Sequence, residues 1–123
     1  VEVQVFGVKG SADTRKALRF FAERRVRTHF VDLRERRASL GELRKFAQKF
    51  GVGALIDRDA PHYRELGLQH SRMGDDRWLE LLAAEPMLLR IPLVHSLRRV
   101  TIGLAVAQWK TWLERADQPK TIG

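Results

Sequence analysis

Ser11 stands where a small domain could do chemistry. A short apolar segment with Val3, Val5 and Phe6 runs into Gly7, and Lys9-Gly10 follows as a turn. After Ser11, residues Ala17, Leu18, Phe20, Phe21 and Ala22 recur at helical spacing with charges between them. A serine hydroxyl at that point caps a helix by accepting one of its unpaired amides. As a nucleophile it would need a base, and no His or Lys is spaced to serve as one. The chain has no cysteine, which excludes a disulfide framework, a thiolate zinc site, a thiol nucleophile and a redox dithiol. Arg58 lies between Asp57 and Asp59, a cluster that reads as an oriented guanidinium rather than an acid/base pair. His29, His62, His70 and His95 form no i, i+4 pair and have no metal-ligand spacing, so no metal is expected. Gly51 and Gly53 lack the remainder of any nucleotide loop, and no cofactor is expected. Trp109 and Trp112, three apart, read as core and rim packing, and Trp78 likewise.

The elements that must position these groups fit one domain. The chain has 123 residues, 44% hydrophobic and 31% charged, enough for a single core and too few for two ordinary ones. Val1–Val8 reads as a strand, the run capped by Ser11 as a helix to about Arg24 or Arg25, and Val26–Leu33 as a second strand, a right-handed βαβ start. Ser39 and Glu42 form a capping box that opens a helix with an apolar stripe of Leu40, Leu43, Phe46, Ala47 and Phe50, ended by Gly51. Short helical pieces follow over Gly53–Ile56, His62–Leu66, Asp75–Ala84 and Pro86–Leu89, broken by prolines and glycines. Leu93–His95 and Arg99–Gly103 read as a hairpin, Ala105–Arg115 as an amphipathic helix, and Asp117–Gly123 as a tail. A βαβ half (1–38) and a ββα half (91–116) around a helical insertion (39–90) give an α/β, thioredoxin-like or glutaredoxin-like mixed four-stranded sheet with an inserted helical subdomain.

Charge is uneven. Residues 1–50 hold thirteen basic and six acidic residues, the remainder ten and nine. Such a field attracts an acidic protein surface or a polyanion. Direct nucleic-acid binding through Arg15, Lys16, Arg19, Arg24, Arg25 and Arg27 rests on charge alone and is not the expectation. No run of eighteen apolar residues and no signal-peptide order occur, so a soluble, cytoplasmic chain with no membrane association is expected.

Three segments in order carry a family resemblance: Val3–Ala17, then Ala54–Arg58 with Tyr63–Leu66, then Leu88–Val94 with Gly103 before the last helix. Over about residues 3–115 the chain resembles the arsenate reductase (ArsC) and Spx family of thioredoxin-like proteins. The resemblance places the family's nucleophilic Cys on Ser11 and the second Cys of the Spx branch on Thr14. It places the first of three oxyanion-holding arginines on Arg58. The second falls directly before Pro92, where Ile91 stands, with Arg90 one residue earlier. The third falls near Gly103 and is missing, although Arg98 and Arg99 are close by. The resemblance also implies a cis Ile91-Pro92 bond.

Taken with the absence of cysteine, the resemblance implies a family member without thiol redox activity that acts as a binding or regulatory module on transcription. The Spx branch implies the C-terminal domain of the RNA polymerase α subunit as partner. A weakly bound small oxyanion is expected at Lys9, Ser11, Ala12, Asp13, Thr14, Arg58, Arg90 and Pro92, around the first-turn amides of the helix. The alternative is a glutathione- or thioredoxin-linked oxidoreductase whose nucleophilic Cys is replaced by Ser11 in this chain.

Overall fold

The computed structural model describes residues 2–117. β1 (Glu2–Gly7) leads into α1 (Ala12–Glu23), β2 (Arg27–Asp32) and α2 (Leu40–Phe50). After α3 (Pro61–Glu65) and α4 (Asp75–Ala84) come β3 (Leu93–Ser96), β4 (Arg99–Ile102) and α5 (Val106–Asp117). The sheet order is β2-β1-β3-β4, with β1 parallel to β2 and antiparallel to β3. This is the mixed α/β sheet expected. The β3–β4 hairpin pairs Ser96 with Arg99 across a two-residue turn in which Leu97 takes φ 56°.

Side-chain alternation on β1 explains the layering. Val3 and Val5 point to one face, where they pack with Phe20, Phe21, Val94 and Trp109 under α1 and α5. Phe6 points to the other, among Leu43, Phe46, Leu82, Leu93 and Val100 beneath the helices that lie between β2 and β3. Because a strand's side chains alternate with period two, β1 serves both cores at once. Trp109 is fully buried, stacked obliquely on Phe21, and its indole N–H donates to Thr101 Oγ1 at 2.8 Å. Trp112 and Trp78 are buried too, as their spacing predicts.

Several local details depart from the sequence reading. The pieces at Val52–Leu55 and Pro86–Leu88 are 3-10 turns, too short to close the i→i−4 ladder of an α-helix, and a further one at Leu68–His70 was not expected. α5 runs on to Asp117, the first residue of the expected tail, and the rest of that tail, residues 118–123, lies outside the described residues, as does Val1. Phe50, placed by periodicity in the apolar stripe of α2, is 42% exposed. It is the last residue of the helix, and Gly51 at φ 83° turns the chain away there before other elements can cover the ring.

The capping box of α2 carries a pH prediction. Ser39 Oγ accepts from the Glu42 amide, while Glu42 accepts from the Ser39 amide and from both terminal nitrogens of Arg36 at 3.0 Å. The Arg36 hydrogen bonds, aided by Ser39, hold the Glu42 carboxyl down to about 2. A depressed carboxyl stabilises the fold above its unfolded value, near 4.5, and that contribution is lost as pH falls from there toward 2. Glu42→Gln keeps a capping amide but cannot titrate. Urea midpoints of the two chains should therefore differ most near neutral pH and converge as pH approaches 2, and a constant gap would refute the assignment.

Candidate functional site

The turn after β1 opens onto a cleft of ≈ 1020 Å³. Its near wall is Gly10, Ser11 and Asp13 at the start of α1. Its far wall is Asp57, Arg58 and Asp59 with Arg90 and Ile91, and Met87, Gly103 and Leu104 close the rim. The two arginines are brought together by backbone pairing. Ile56 bridges Leu89, the Asp57 amide donates to Leu88 O at 2.8 Å, and the Arg90 amide donates to Leu55 O at 2.8 Å. The Gly103 amide donates to Pro92 O at 2.8 Å, which seats the β4–α5 turn on the same loop. The Ile91-Pro92 bond is cis, as the resemblance implied.

Ser11 is the N-cap of α1. Its Oγ accepts from the Thr14 amide at 3.2 Å, and its own amide donates to Val8 O at 3.1 Å. Two of the four amides from Ser11 to Thr14 are thus already used. Ala12 and Asp13 hold the first-turn amides with no acceptor among the described residues. Thr14 is fully buried against Gly7, and its Oγ1 has no hydrogen-bond partner among the described residues.

Arg58 is oriented differently from the sequence reading. Its Nη1 donates to the Tyr63 hydroxyl at 3.1 Å, and Tyr63 in turn stacks on Trp78 with rings 8° from parallel. Asp57 spends an oxygen on the Asp59 amide at 3.1 Å, closing a local turn instead of clamping the guanidinium. Sequence reasoning missed Tyr63 as the positioning group, although a phenol five residues after an arginine and one turn into a helix was the available signal. It also missed Arg34, which enters the cleft from the turn after β2 with Nη2 beside Gly10. Only the β1–β2 pairing sets that turn next to Ser11.

Three arginines (Arg34, Arg58, Arg90) and three aspartates (Asp13, Asp57, Asp59) therefore line one space. None of the six takes part in an ion pair among the described residues. Of the remaining residues expected here, Lys9 is exposed outside the cleft wall, its carbonyl accepting from Arg15. Ala12, Thr14 and Pro92 do not line the cleft: Ala12 is exposed, and Thr14 and Pro92 are buried.

Elsewhere the charges are used locally. Arg24 lies 3.8 Å over the Phe20 ring, and Arg27 pairs with Glu2 at 3.2 Å, so these two basic residues of the first half are engaged locally. His62 sits between Glu65 at 3.2 Å and Glu85 at 2.9 Å, and hydrogen bonds to Glu65 and then Glu85 raise its pKa. Burial lowers that of His95 on β3, with Lys45 adding to the shift. Among the described residues no three of His, Asp and Glu are grouped to hold a metal ion, and no described helix is long and apolar enough to cross a membrane.

Comparison with known proteins gives the family and the fold. The chain is 30% identical over 100 residues to the protein YusI of Bacillus subtilis (strain 168), covering 78% of this chain and 85% of that one. It is 27% identical over 106 residues to an arsenate reductase of Neisseria meningitidis (strain Z2491), covering 83% and 90%. The solved arsenate reductase from Vibrio cholerae superposes with a TM-score of 0.77 at 23% identity, over 87% of this chain and 93% of that one, a likeness of fold. The sequence pattern of the ArsC family matches residues 6–112, which take in both walls of the cleft, and the chain belongs to that family.

Proposed function

We propose that this chain is a cytoplasmic binding module of the ArsC family that holds a small oxyanion in the cleft and carries out no thiol redox step. The carrying observation is at Ser11: a hydroxyl that caps α1 by accepting from the Thr14 amide stands where the resemblance places the thiolate, and the chain contains no cysteine to take over a thiolate's work. A hydroxyl is far less acidic than a thiol, and no base is hydrogen-bonded to Ser11 among the described residues. Binding groups remain in place of chemistry. The amides of Ala12 and Asp13, without acceptors among the described residues, lie at the positive end of the α1 dipole, and Asp13 lines the cleft together with Arg58 and Arg90. The three aspartates oppose an anion, so affinity is weak.

The test is an NMR titration with sulfate. Amides of Ala12 and Asp13 should shift before those of Ser11 and Thr14, with half-saturation at about 1 to 10 mM, a free energy of about −4 to −3 kcal/mol. If they stay still while the α1 surface arginines respond, the cleft holds no anion. A regulatory role would lie in a protein contact, for which the resemblance to the Spx branch suggests the C-terminal domain of the RNA polymerase α subunit. Supporting that partner class is the excess of basic residues in the first fifty. The rival reading, an oxidoreductase silenced only by serine at position 11, differs in what it expects of Ser11→Cys: arsenate turnover should return with the thiol.

A further inference from the structure

We propose that the groove between the C-terminal end of α2 and α5 is a second binding site, for a small apolar carboxylate. The groove has a volume of ≈ 440 Å³, within the range of small-ligand pockets. Its apolar surface includes Phe50, Ile102 and Trp112, and among the described residues the only ionisable ones lining it are Lys49 and Arg90. No described carboxylate lines it, in contrast to the cleft, where three aspartates offset three arginines.

Each half of the ligand follows from this asymmetry. Phe50 is 42% exposed at the last position of α2, an aromatic ring left uncovered beside the half-buried Ile102. Burying an apolar body against such a surface is favourable in proportion to the area removed from water. The two cations set the charge. Lys49 Nζ lies over the Phe50 ring, 5.5 Å from its centroid, which holds the ammonium against the apolar surface. Neither Lys49 nor Arg90 is in an ion pair among the described residues, so both are free to meet an anion. An inorganic anion would leave the apolar wall wet, and a neutral hydrocarbon would leave the cations without a partner. A single carboxylate on an alkyl or aryl body satisfies both. Gln108, also on the lining, can donate to its second oxygen. Arg90 lines the cleft as well, so this residue is shared by the two sites.

Octanoate is a suitable probe, with octanamide as its neutral counterpart. On the full chain, octanoate should give saturable shifts of the Trp112 indole N–H and the Phe50 amide. Octanamide should need at least about tenfold more ligand, as expected when one charge-assisted hydrogen bond is lost. Lys49→Met, which keeps an unbranched side chain at an exposed position, should weaken octanoate by about fivefold or more, within the range for a charge-assisted contact at a partly exposed rim. Arg58→Ala should leave octanoate binding unchanged while weakening the sulfate response, so failure of the cleft reading and failure of this one are told apart. Equal binding of octanoate and octanamide would overturn the proposal. So would shifts confined to the cleft amides, or shifts that remain linear with concentration.

Discussion

Ser11→Cys is expected to yield a thiol that titrates at or below about 7.5, against about 8.5 for a free cysteine. The Thr14 amide, which now donates to the serine oxygen at 3.2 Å, would donate to the thiolate, and the positive end of α1 would favour the charged form. Asp13 in the first helical turn opposes this, so Asp13→Asn in the same chain should lower the value further. Position 11 is half-buried at the cleft mouth, within reach of iodoacetamide. The measurement is the midpoint of the alkylation rate against pH, compared with the same chain unfolded in urea. A midpoint equal to the unfolded one would show that the α1 terminus no longer activates a group there.

Arsenate turnover coupled to glutathione should nevertheless stay at background in both chains. The unaltered chain lacks the thiolate with which the family's reaction begins. The Cys variant would still have Ile91 directly before Pro92 and no arginine at Gly103, where the resemblance places two of three oxyanion-holding guanidinium groups. Turnover by the unaltered chain would end the binding-module reading. Turnover by the Ser11→Cys variant alone would favour the oxidoreductase reading, with Arg34 as the guanidinium that makes up the missing charge.

Gly7→Ala is expected to destabilise the fold by about 1 to 3 kcal/mol, the usual range for overpacking a well-filled interior. A Cβ at Gly7 would clash with Thr14 Oγ1 and would meet Cγ2 at 2.6 Å and Cβ at 3.1 Å. Thr14 is fully buried and β-branched, so it has little rotamer freedom with which to yield. Thr14→Ala removes the two nearest atoms, and Gly7→Ala should cost less than half as much in that background. Urea unfolding of the four chains of this cycle measures the coupling. Additivity within about 0.5 kcal/mol would mean that the end of β1 and the start of α1 can move apart. Thr14→Val tests the other side of the contact. It keeps the shape and deletes a buried hydroxyl that has no partner among the described residues, so it should be neutral or stabilising.

Local signals carried most of the architecture. The Ser39 and Glu42 spacing, the Ser11 cap, the glycine after α2 and the alternation of β1 each act through neighbours within a few residues, so they could be read without the fold. The absence of cysteine was equally plain, and it bounds the chemistry more tightly than any distance does. Phe50 shows the limit of periodicity, which says which face of α2 is apolar but not how far the covering elements extend. The composition of the cleft was beyond local reading. Arg58 and Arg90 meet because residues 55–57 pair with residues 88–90 through backbone hydrogen bonds, which carry no side-chain signature. Arg34 enters because β2 lies parallel to β1, and Tyr63 holds Arg58 because Trp78, fifteen residues on, gives the phenol ring a surface to stack against. Chain neighbours set caps and helix faces, whereas the charges that share a cleft are chosen by long-range pairing and packing, which depend on the whole chain being folded.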